Sequence, residues 1–314
     1  MMLLDSLPRS RKLDTGYLPT LMDLLGDLIS AGGPKPEDYA ELNRSIRKVG
    51  DDIRGGVVTE ELVGRLLAEV TEKHFEGTLQ HAARSKPHGY SGDFQIIDSI
   101  YCLSTAVNPK LRLWDLFFHS QSAPCAVRNR KNYFHQVLSA LPVSVDGSRH
   151  RVLNVGSGPA RDLREWFTSE RPQKLFFDCV DMDAKAIQYA SNLCRPYLQH
   201  VEFYHENALR YVPSRGYDVV WSAGLFDYVN DKVFVRLLKA LLGVVKPGGE
   251  LVIGNFSTFN PSRDYMEIFG DWYLAHRSRE QLLALAERAG AEIQNCSVHW
   301  EAEGVNLFLH IRVA

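Results

Sequence analysis

The chain has 314 residues, of which 45% are hydrophobic and 24% charged, and its formal net charge at pH 7 is −2. This length exceeds the usual size of one domain, so we expect one large or two modest domains. The near-neutral balance gives no electrostatic footprint for nucleic acid. No apolar run reaches the roughly 18 residues that a membrane-spanning helix needs, so we expect no membrane span.

The cysteines and histidines indicate neither a disulfide framework nor a metal site. The five cysteines are odd in number and never spaced as Cys-x-x-Cys, so we expect reduced thiols in a cytoplasmic protein. The eleven histidines nowhere fall with carboxylates at ligand spacing on one predicted element. The sequence therefore predicts a protein without a bound metal.

Helical signals dominate the first part of the chain. Leucines at helical spacing predict a helix over Tyr17–Ile29, and Thr59 followed by two glutamates predicts the start of another. A third helix is predicted over Lys131–Leu141, where Pro142 ends it. We therefore expect a helical N-terminal domain over residues 1–145 that caps the site and takes part in substrate binding.

From Arg151 onward, short apolar runs alternate with helix-length segments, which is typical of a mainly parallel sheet covered by helices. Ser278 opens a capping box, and Gly290 ends the helix that follows it. An α/β domain over residues 146–314 is predicted. The predicted strands are Arg151–Val155, Leu175–Val180, Val201–Tyr204, Asp218–Trp221, Glu250–Asn255 and a closing hairpin of Glu292–Val298 and Val305–Val313.

A glycine-rich turn follows the first strand of this predicted domain. Gly156, Ser157 and Gly158 form it, and glycines let the backbone approach a nucleotide closely because no Cβ intervenes. Asp181 stands 23 residues beyond Gly158, at the end of the next strand. A carboxylate there can accept hydrogen bonds from both ribose hydroxyls. The turn and the carboxylate together predict a nucleoside-binding site.

Two departures argue against a dinucleotide. Arg161 stands where the third glycine of G-x-G-x-x-G would fall, and Pro159 removes a backbone donor that a pyrophosphate would need. A sulfonium nucleoside has no phosphates, so it loses nothing by these changes. Asn207 and Ala208 follow the third strand, where an amide side chain can reach the adenine amino group.

The fourth predicted strand supplies Ser222 and Ala223, and its carboxyl end carries Asp227 and Tyr228. Open α/β sheets bind ligands at such ends. Taken in order from Arg151 to Ala314, these motifs resemble those of class I S-adenosylmethionine-dependent methyltransferases.

The resemblance implies a Rossmann-like sheet of seven strands, mostly parallel with an antiparallel last strand, and S-adenosylmethionine as the cofactor. It also implies that the turn from Gly156 to Gly158 faces the methionine part of the cofactor and that Asp181 faces the ribose. Met182, Asn207 and Ala208 would then face the adenine, and Ser222 and Ala223 are expected to contact the cofactor as well.

Less general motifs resemble a narrower family, the bacterial methyltransferases typified by the enzyme that makes 3-hydroxypalmitic acid methyl ester. The resemblance covers about residues 80–314 and supports the methyl donor more firmly than the acceptor. Its motifs lie in Lys86–Phe94, Ala126–Arg130, Ser222–Tyr228, Gly254–Phe256, Asn260–Glu267 and Asp271–Arg277.

Physical roles follow for several of these segments. We expect the loop with Tyr90 and Asp93 to act as a lid that excludes water, with a surface turn as the alternative. Arg128, within Arg128-Asn129-Arg130, is expected to hold the methionine carboxylate of the cofactor, with a solvated helix end as the alternative.

The insert Ser257–Arg277 is too long for a plain strand-to-helix connection, which indicates a function or a cap. Arg263 or Arg277 is expected to pair with an acceptor carboxylate, with an exposed ion pair as the alternative. Aromatic side chains of the insert are expected to line an acceptor pocket, with core packing as the alternative. They are Tyr265, Trp272, Tyr273 and His276.

The acceptor determines whether a base is needed. A carboxylate, with an ordinary pKa of about 4.3, is already ionised at neutral pH. An amine, phenol or carbon acceptor requires a base, for which Tyr90, Asp93, Asp227, Tyr228 and His276 are the candidates. None of them dominates, so our hypothesis is carboxyl O-methylation of a fatty or other hydrophobic acid.

Other functions remain open at this point. They are N- or C-methylation of a secondary-metabolite or amino-acid substrate, intramolecular cyclisation of the cofactor with release of methylthioadenosine, non-catalytic regulation through S-adenosylmethionine binding, and a dehydrogenase. A small-molecule acceptor is the expected partner, and the chain is either a monomer or a homodimer.

Overall fold

The computed structural model describes residues 15–143, 148–169, 174–211, 213 and 216–314. Within these ranges the chain forms two compact units. The helical unit comprises residues 15–99, 103–121 and 261–273. The sheet unit comprises residues 100–102, 122–260 and 274–314, apart from the gaps just given.

Several helices of the helical unit begin where the sequence supplies a capping side chain. Thr59 accepts the backbone N–H of Leu62, so the predicted start at Thr59 is confirmed, and Thr78 caps the next helix through His81. The predicted N-terminal helix is also confirmed, shifted by one residue. The bounds are α1 (Leu18–Ser30), α2 (Tyr39–Arg54), α3 (Glu60–His74), α4 (Leu79–Ser85), α5 (Phe94–Tyr101) and α6 (Pro109–Ser120). The last two residues of α5 belong to the sheet unit.

The third segment of the helical unit, residues 261–273, contributes its aromatic side chains to that unit's core. Tyr265 packs edge-on against Phe117 with ring centroids 5.3 Å apart and stacks on Phe269 at 5.5 Å. Arg84 of α4 donates to the carbonyl oxygens of Ile268 and Phe269 at 2.9 and 3.0 Å. A segment that follows the fifth strand in sequence is therefore built into the helical unit.

The sheet unit confirms the predicted fold class. Its seven strands lie in the order β3-β2-β1-β4-β5-β7-β6, with β1 to β5 parallel and β7 antiparallel to both β5 and β6. The strands are β1 (His150–Val155), β2 (Leu175–Asp181), β3 (Val201–His205), β4 (Tyr217–Ala223), β5 (Val245–Phe256), β6 (Cys296–Trp300) and β7 (Asn306–Arg312). The helices are α7 (Ser122–Ser139), α8 (Arg161–Thr168), α9 (Ala184–Leu193), α10 (Asp231–Leu242) and α11 (Arg279–Arg288).

The predicted start of the third helix at Lys131 was wrong. The helix α7 begins nine residues earlier, at Ser122. Pro124 lies in the first turn of α7, where a missing N–H costs nothing, so the proline does not prevent the helix from starting at Ser122. The aromatic rings of α7 fix it to the sheet: Phe134 stacks on Trp221 with centroids 4.5 Å apart, and Tyr133 stacks on Phe308 at 3.9 Å.

Two segments lie in a different compact unit from the one that a division between residues 145 and 146 would give them. The helix α7 belongs to the sheet unit, because its aromatic side chains pack on the sheet, and residues 261–273 belong to the helical unit. The division into a helical domain over 1–145 and a Rossmann-like domain over 146–314 stays a prediction about the folding domains.

The strand order places the expected ligand site. The strands β1 and β4 are neighbours, and the connections from β1 and from β4 lead to opposite sides of the sheet. A crevice opens at the carboxyl ends of the strands at such a switch point. The turn after β1 and the segment after β4 are therefore where the functional residues should be sought.

Candidate active site

The glycine turn after β1 has the backbone conformation that its sequence predicts. Gly156 and Gly158 have φ values of +67° and +55°, in the left-handed region that favours glycine. A Cβ at Gly156 would lie 3.2 Å from the Cβ of Leu225, so the turn packs against the segment after β4. A Cβ at Gly158 would meet nothing within 4 Å, so this face of the turn is open.

The carboxylate of Asp181 holds the open turn. One carboxylate oxygen, Oδ2, accepts the backbone N–H of Gly158 at 2.8 Å, and Oδ1 accepts that of Asp183 at 2.9 Å. Burial raises the pKa of Asp181, although these N–H donors oppose the shift. Each carboxylate oxygen has a further lone pair. Asp181 therefore retains lone pairs for a sugar hydroxyl, and its contact with a ribose stays a prediction.

The residues predicted to face adenine lie near the ends of β2 and β3. The side chain of Met182 is 68% exposed. The side-chain oxygen of Asn207 accepts the backbone N–H of Leu209 at 2.8 Å, which forms a local turn, and Ala208 packs against the core of the sheet unit. One lone pair of the Asn207 amide oxygen is thus already used for structure.

The two serines predicted to contact the cofactor differ. The hydroxyl of Ser222 is fully buried and donates to the carbonyl of Val155 at 2.8 Å, which ties β4 to β1. Ala223 is partly buried at the end of β4. The Oγ of Ser157 is buried and has no hydrogen-bond partner among the described residues. Of these two serines, Ser157 is therefore the one whose hydroxyl is not already used in a hydrogen bond within the described residues.

Arg130, the second arginine of the tripeptide Arg128-Asn129-Arg130, has its guanidinium at the carboxyl end of β4. The guanidinium of Arg130, on α7, lies against the backbone of Gly224: a Cβ on that glycine would be 3.0 Å from Arg130 Nη1. The Nε of Arg130 donates to the hydroxyl of Tyr101 at 3.3 Å. The neighbouring Arg128, which was predicted to hold a carboxylate, donates from Nη2 to the Sγ of Cys125 at 3.0 Å.

Asp227 lies in the short 3₁₀ helix that follows β4. Its Oδ1 accepts the backbone N–H of Phe256 at 2.6 Å, and its own carbonyl accepts the N–H of Ala275 at 2.7 Å. Burial raises the pKa of Asp227 to about 6, against the opposing effects of the Phe256 N–H and of Arg130 and Arg277. Tyr228 beside it is 46% exposed.

Arg277, predicted to pair with an acceptor carboxylate, is 4% exposed and holds the loop after β4. Its Nη1 donates to the carbonyl of Phe226 and to Asn255, at 3.0 and 2.8 Å. Its Nη2 donates to the carbonyl of Val229 at 2.6 Å and to Asp231 at 3.0 Å, and its Nε donates to Asp231 at 3.1 Å. All five N–H donors of the guanidinium are thus used. The predicted binding of a carboxylate by Arg277 has no donor left to support it.

His276 is held by two hydrogen bonds. Its Nδ1 lies 3.1 Å from the carbonyl oxygen of Leu274, which requires the proton on Nδ1, and its Nε2 lies 3.1 Å from the amide nitrogen of Asn260. In this arrangement the Nε2 lone pair accepts the amide N–H of Asn260. His276 would have to give up that bond to act as a base.

The remaining predicted residues belong to the helical unit. Asp93 is buried and caps α5, accepting the N–H groups of Gln95 and Ile96 at 2.8 and 3.0 Å, whereas Tyr90 is 39% exposed. Tyr265 and Trp272 are buried, and Tyr273 donates its hydroxyl to the carboxylate of Glu60. Arg263 pairs with Glu267 at 2.7 Å. For Tyr265 the observed ring contacts are those of core packing.

Two further properties concern the whole described chain. None of its helices is long and apolar enough to cross a membrane. In the same residues, no group of three or more His, Cys, Asp or Glu side chains is arranged to hold a metal ion.

Comparison with known proteins adds to this geometry. Residues 152–249 match the family model described as a methyltransferase domain. A structure described as a possible exported protein from Bordetella parapertussis is 19% identical, with a TM-score of 0.60 over 95% of this chain and 96% of that chain. No curated protein sequence matches the chain.

Two named methyltransferases are more distant in structure. An O-methyltransferase family protein from Burkholderia thailandensis is 18% identical, with a TM-score of 0.47 over 69% of this chain and 63% of that chain. The N-methyltransferase NodS from Bradyrhizobium japonicum is 13% identical, with a TM-score of 0.44 over 70% of this chain and 97% of that chain. These two likenesses are too weak to bear on the acceptor.

The match to a methyltransferase domain covers residues 152–249, which include the open glycine turn after β1, Asp181 and the carboxyl end of β4.

The buried carboxyl of Asp162 generates a prediction about stability and pH. Burial raises its pKa from 3.8 to about 6, so it stabilises the fold fully below pH 3.8 and loses this contribution as the pH rises through 6. Asp162→Asn keeps the acceptor for the N–H of Leu163 and cannot ionise. The unfolding free energy of the variant, relative to the native chain, should therefore rise by about 2 kcal/mol between pH 4 and pH 7. Urea titrations across this range measure the difference, and a constant difference would contradict the prediction.

The two arginines predicted to bind an acceptor carboxylate generate a second prediction. Arg277→Ala should lower the free energy of unfolding by about 3 kcal/mol or more, because it leaves buried carbonyls of the loop after β4 without donors. Arg263→Ala, which removes an exposed ion pair, should change it by no more than about 0.5 kcal/mol. Chemical denaturation of both variants tests this. A well-folded Arg277→Ala protein that has lost only acceptor binding would restore the original assignment.

Proposed function

We propose that this methyltransferase transfers the methyl group of S-adenosylmethionine to the carboxylate of a fatty or other hydrophobic acid. The observation that supports S-adenosylmethionine as the methyl donor is the glycine turn. Its open face at Gly158 and its anchoring carboxylate, Asp181, suit a nucleoside that has no phosphates. Pro159 is compatible with such a ligand, because the backbone donor that it removes would serve a pyrophosphate.

The residues present fit this cofactor, which supplies an electrophilic methyl group on a sulfonium sulfur. In the proposal, Gly156 and Gly158 let the backbone approach the methionine part, and the unpaired hydroxyl of Ser157 offers a hydrogen bond there. Asp181 accepts ribose hydroxyls with its remaining lone pairs. Met182, Asn207 and Ala208 border the adenine. Ser222 supports the turn indirectly through its bond to β1.

The role of the protein in methyl transfer is orientation and exclusion of water. Holding two reactants in line is worth up to about 7–11 kcal/mol of the barrier. A carboxylate acceptor needs no proton removed at neutral pH. This suits a chain in which three of the predicted bases are engaged in structure within their own units: Asp93 caps a helix, Asp227 accepts the N–H of Phe256, and the Nε2 of His276 faces an amide. Because these bases are already engaged, an acceptor that needs no base is favoured, and this supports a carboxylic acid as the acceptor.

One observation favours a second candidate function. The pKa of Asp227, raised to about 6, lies close to the range in which a general base works at neutral pH. If Asp227 is that base, with Tyr228 beside it, the acceptor is an amine, a hydroxyl or an activated carbon of a secondary metabolite or amino acid. Cyclisation of the cofactor, non-catalytic regulation and dehydrogenase activity are outcomes that the assay below detects.

The setting of the enzyme is part of the proposal. The five free cysteines suit a reducing compartment, so we place the reaction in the cytoplasm. The net charge of −2 favours a small molecule over nucleic acid as the partner. The state in solution is a monomer or a homodimer.

The acceptor class is tested with methyl-labelled donor and matched long-chain acids, alcohols and amines. We expect labelled methyl esters from the acids alone, because only the acids are ionised nucleophiles without a base. Methylated product from amines alone would overturn the proposal of an acid acceptor and favour Asp227 as the base. Methylthioadenosine formed without any acceptor would identify cyclisation. Tight donor binding without any product would identify a regulator, and binding of a nicotinamide dinucleotide instead would identify a dehydrogenase.

Donor binding at the turn is tested by Gly158→Ala against a matched control. Gly158 and Gly248 both have positive φ and open space where a Cβ would lie, so an alanine at either site strains the backbone by about 1–2 kcal/mol. Only Gly158→Ala places a methyl group on the open face of the turn. Calorimetry with S-adenosylhomocysteine should show at least roughly tenfold weaker binding for Gly158→Ala and native affinity for Gly248→Ala. Equal affinity of the two variants would remove the turn from the site.

A further inference from the structure

We propose that Arg130, positioned by Tyr101 and Gly224, is a built binding site for a ligand carboxylate at the carboxyl end of β4. The inference rests on the proposed function for the identity of the ligand, because both the donor and the favoured acceptor carry a carboxylate. It does not rest on that function for the existence of the site, which the geometry of the sheet unit supports by itself.

The first observation is that Arg130 is buried without a carboxylate bonded to its guanidinium. Arg130 is only 7% exposed. Among the residues that the structure describes, its single hydrogen bond runs from Nε to the hydroxyl of Tyr101, and no carboxylate forms an ion pair with it. Asp162 and Asp227 are near enough to feel its charge, yet neither is bonded to it. Burying an ionised group without a partner is costly, so this guanidinium favours an anion beside it.

The second observation is the direction of the unused donors. The bond to Tyr101 fixes the Nε side of the guanidinium, and Nη1 and Nη2 therefore retain four N–H groups. These two nitrogens are not among the fully buried unpaired atoms of the described chain, so the small exposure of the residue leaves them accessible. Two adjacent nitrogens in one plane match a carboxylate.

The third observation is Gly224. A Cβ at this position would lie 3.0 Å from Nη1 and 3.5 Å from Nη2 of Arg130. Glycine therefore leaves the space that the guanidinium occupies over the end of β4. The next residue, Leu225, lies beside the glycine turn, where it would be 3.2 Å from a Cβ on Gly156. The accessible donors of Arg130 are thus close to the turn that the methionine part of the donor would face.

The chemistry is that of a carboxylate, and two molecules can supply it. One source is the amino-acid end of the donor, and the other is the carboxylate of a hydrophobic acid acceptor. S-adenosylhomocysteine carries the first carboxylate, and laurate stands for the second. Methylthioadenosine is the thioether nucleoside without the amino-acid end, so it lacks both the carboxylate and the ammonium group. The comparison of these three probes separates the sources.

The test uses calorimetry and thermal unfolding of the full chain carrying Arg130→Met. If Arg130 awaits a ligand, removing its charge leaves the melting temperature of the free protein at or above that of the native chain. A contact with the donor predicts about 10- to 100-fold weaker binding of S-adenosylhomocysteine and unchanged binding of methylthioadenosine. A contact with the acceptor predicts the same loss for laurate and none for S-adenosylhomocysteine.

Two further variants sharpen the test. Lys131→Met removes the neighbouring positive charge of α7, which is paired with Glu165, and should leave the affinity for all three probes unchanged. Tyr101→Phe should weaken the affected probe by a smaller factor than Arg130→Met, because it frees the guanidinium without removing it. A collapse of folding in Arg130→Met, or unchanged affinity for both carboxylates, overturns the inference. A native chain that binds neither nucleoside rejects the proposed function, and loss of laurate binding in Arg130→Met would still support the site.

Discussion

The hydrogen bond from the backbone N–H of Gly158 to the carboxylate of Asp181 joins the turn after β1 to the end of β2. The backbone N–H groups of Gly156 and Ser157 donate to the carbonyl of Val180 and hold the start of the turn, whereas the bond to Asp181 holds its open end at Gly158. The same carboxylate is the group expected to receive the ribose. Anchoring the turn and recognising the sugar therefore depend on a single side chain, which couples the shape of the site to its chemistry.

Two buried arginines of the sheet unit show how one residue type serves opposite purposes. Arg277 uses all five donors on carbonyls and side chains of the loop after β4, so its charge is fully engaged in structure. Arg130 uses one donor and keeps four. Burial is nearly the same in the two cases, at 4% and 7% exposure. The number of satisfied donors, and not burial or charge, distinguishes the structural residue from the candidate ligand-binding one.

Periodicity and turn chemistry in the sequence were enough to predict the sheet and the glycine turn with Asp181. The antiparallel last strand was predicted from the family resemblance. The start of α7 was predicted too late, because the sequence does not show whether Pro124 lies in the first turn of a helix or before the helix begins. Within the tripeptide Arg128-Asn129-Arg130 the sequence favoured Arg128 and could not single out Arg130, because the glycine that Arg130 packs against, Gly224, lies 94 residues further along the chain. Contacts between such distant residues depend on strand order, which local patterns do not encode. For the same reason the sequence could not distinguish a pocket aromatic from Tyr265 packed on Phe117.

The membership of residues 261–273 in the helical unit has a consequence for biosynthesis. A ribosome releases the N-terminal helices long before it releases Tyr265, so the core of their unit stays incomplete until most of the polypeptide has emerged. An early, independent fold of the leading segment is therefore disfavoured, and the nascent helices keep apolar surface uncovered in the meantime. Native packing must form late, after distant parts of the chain have come together.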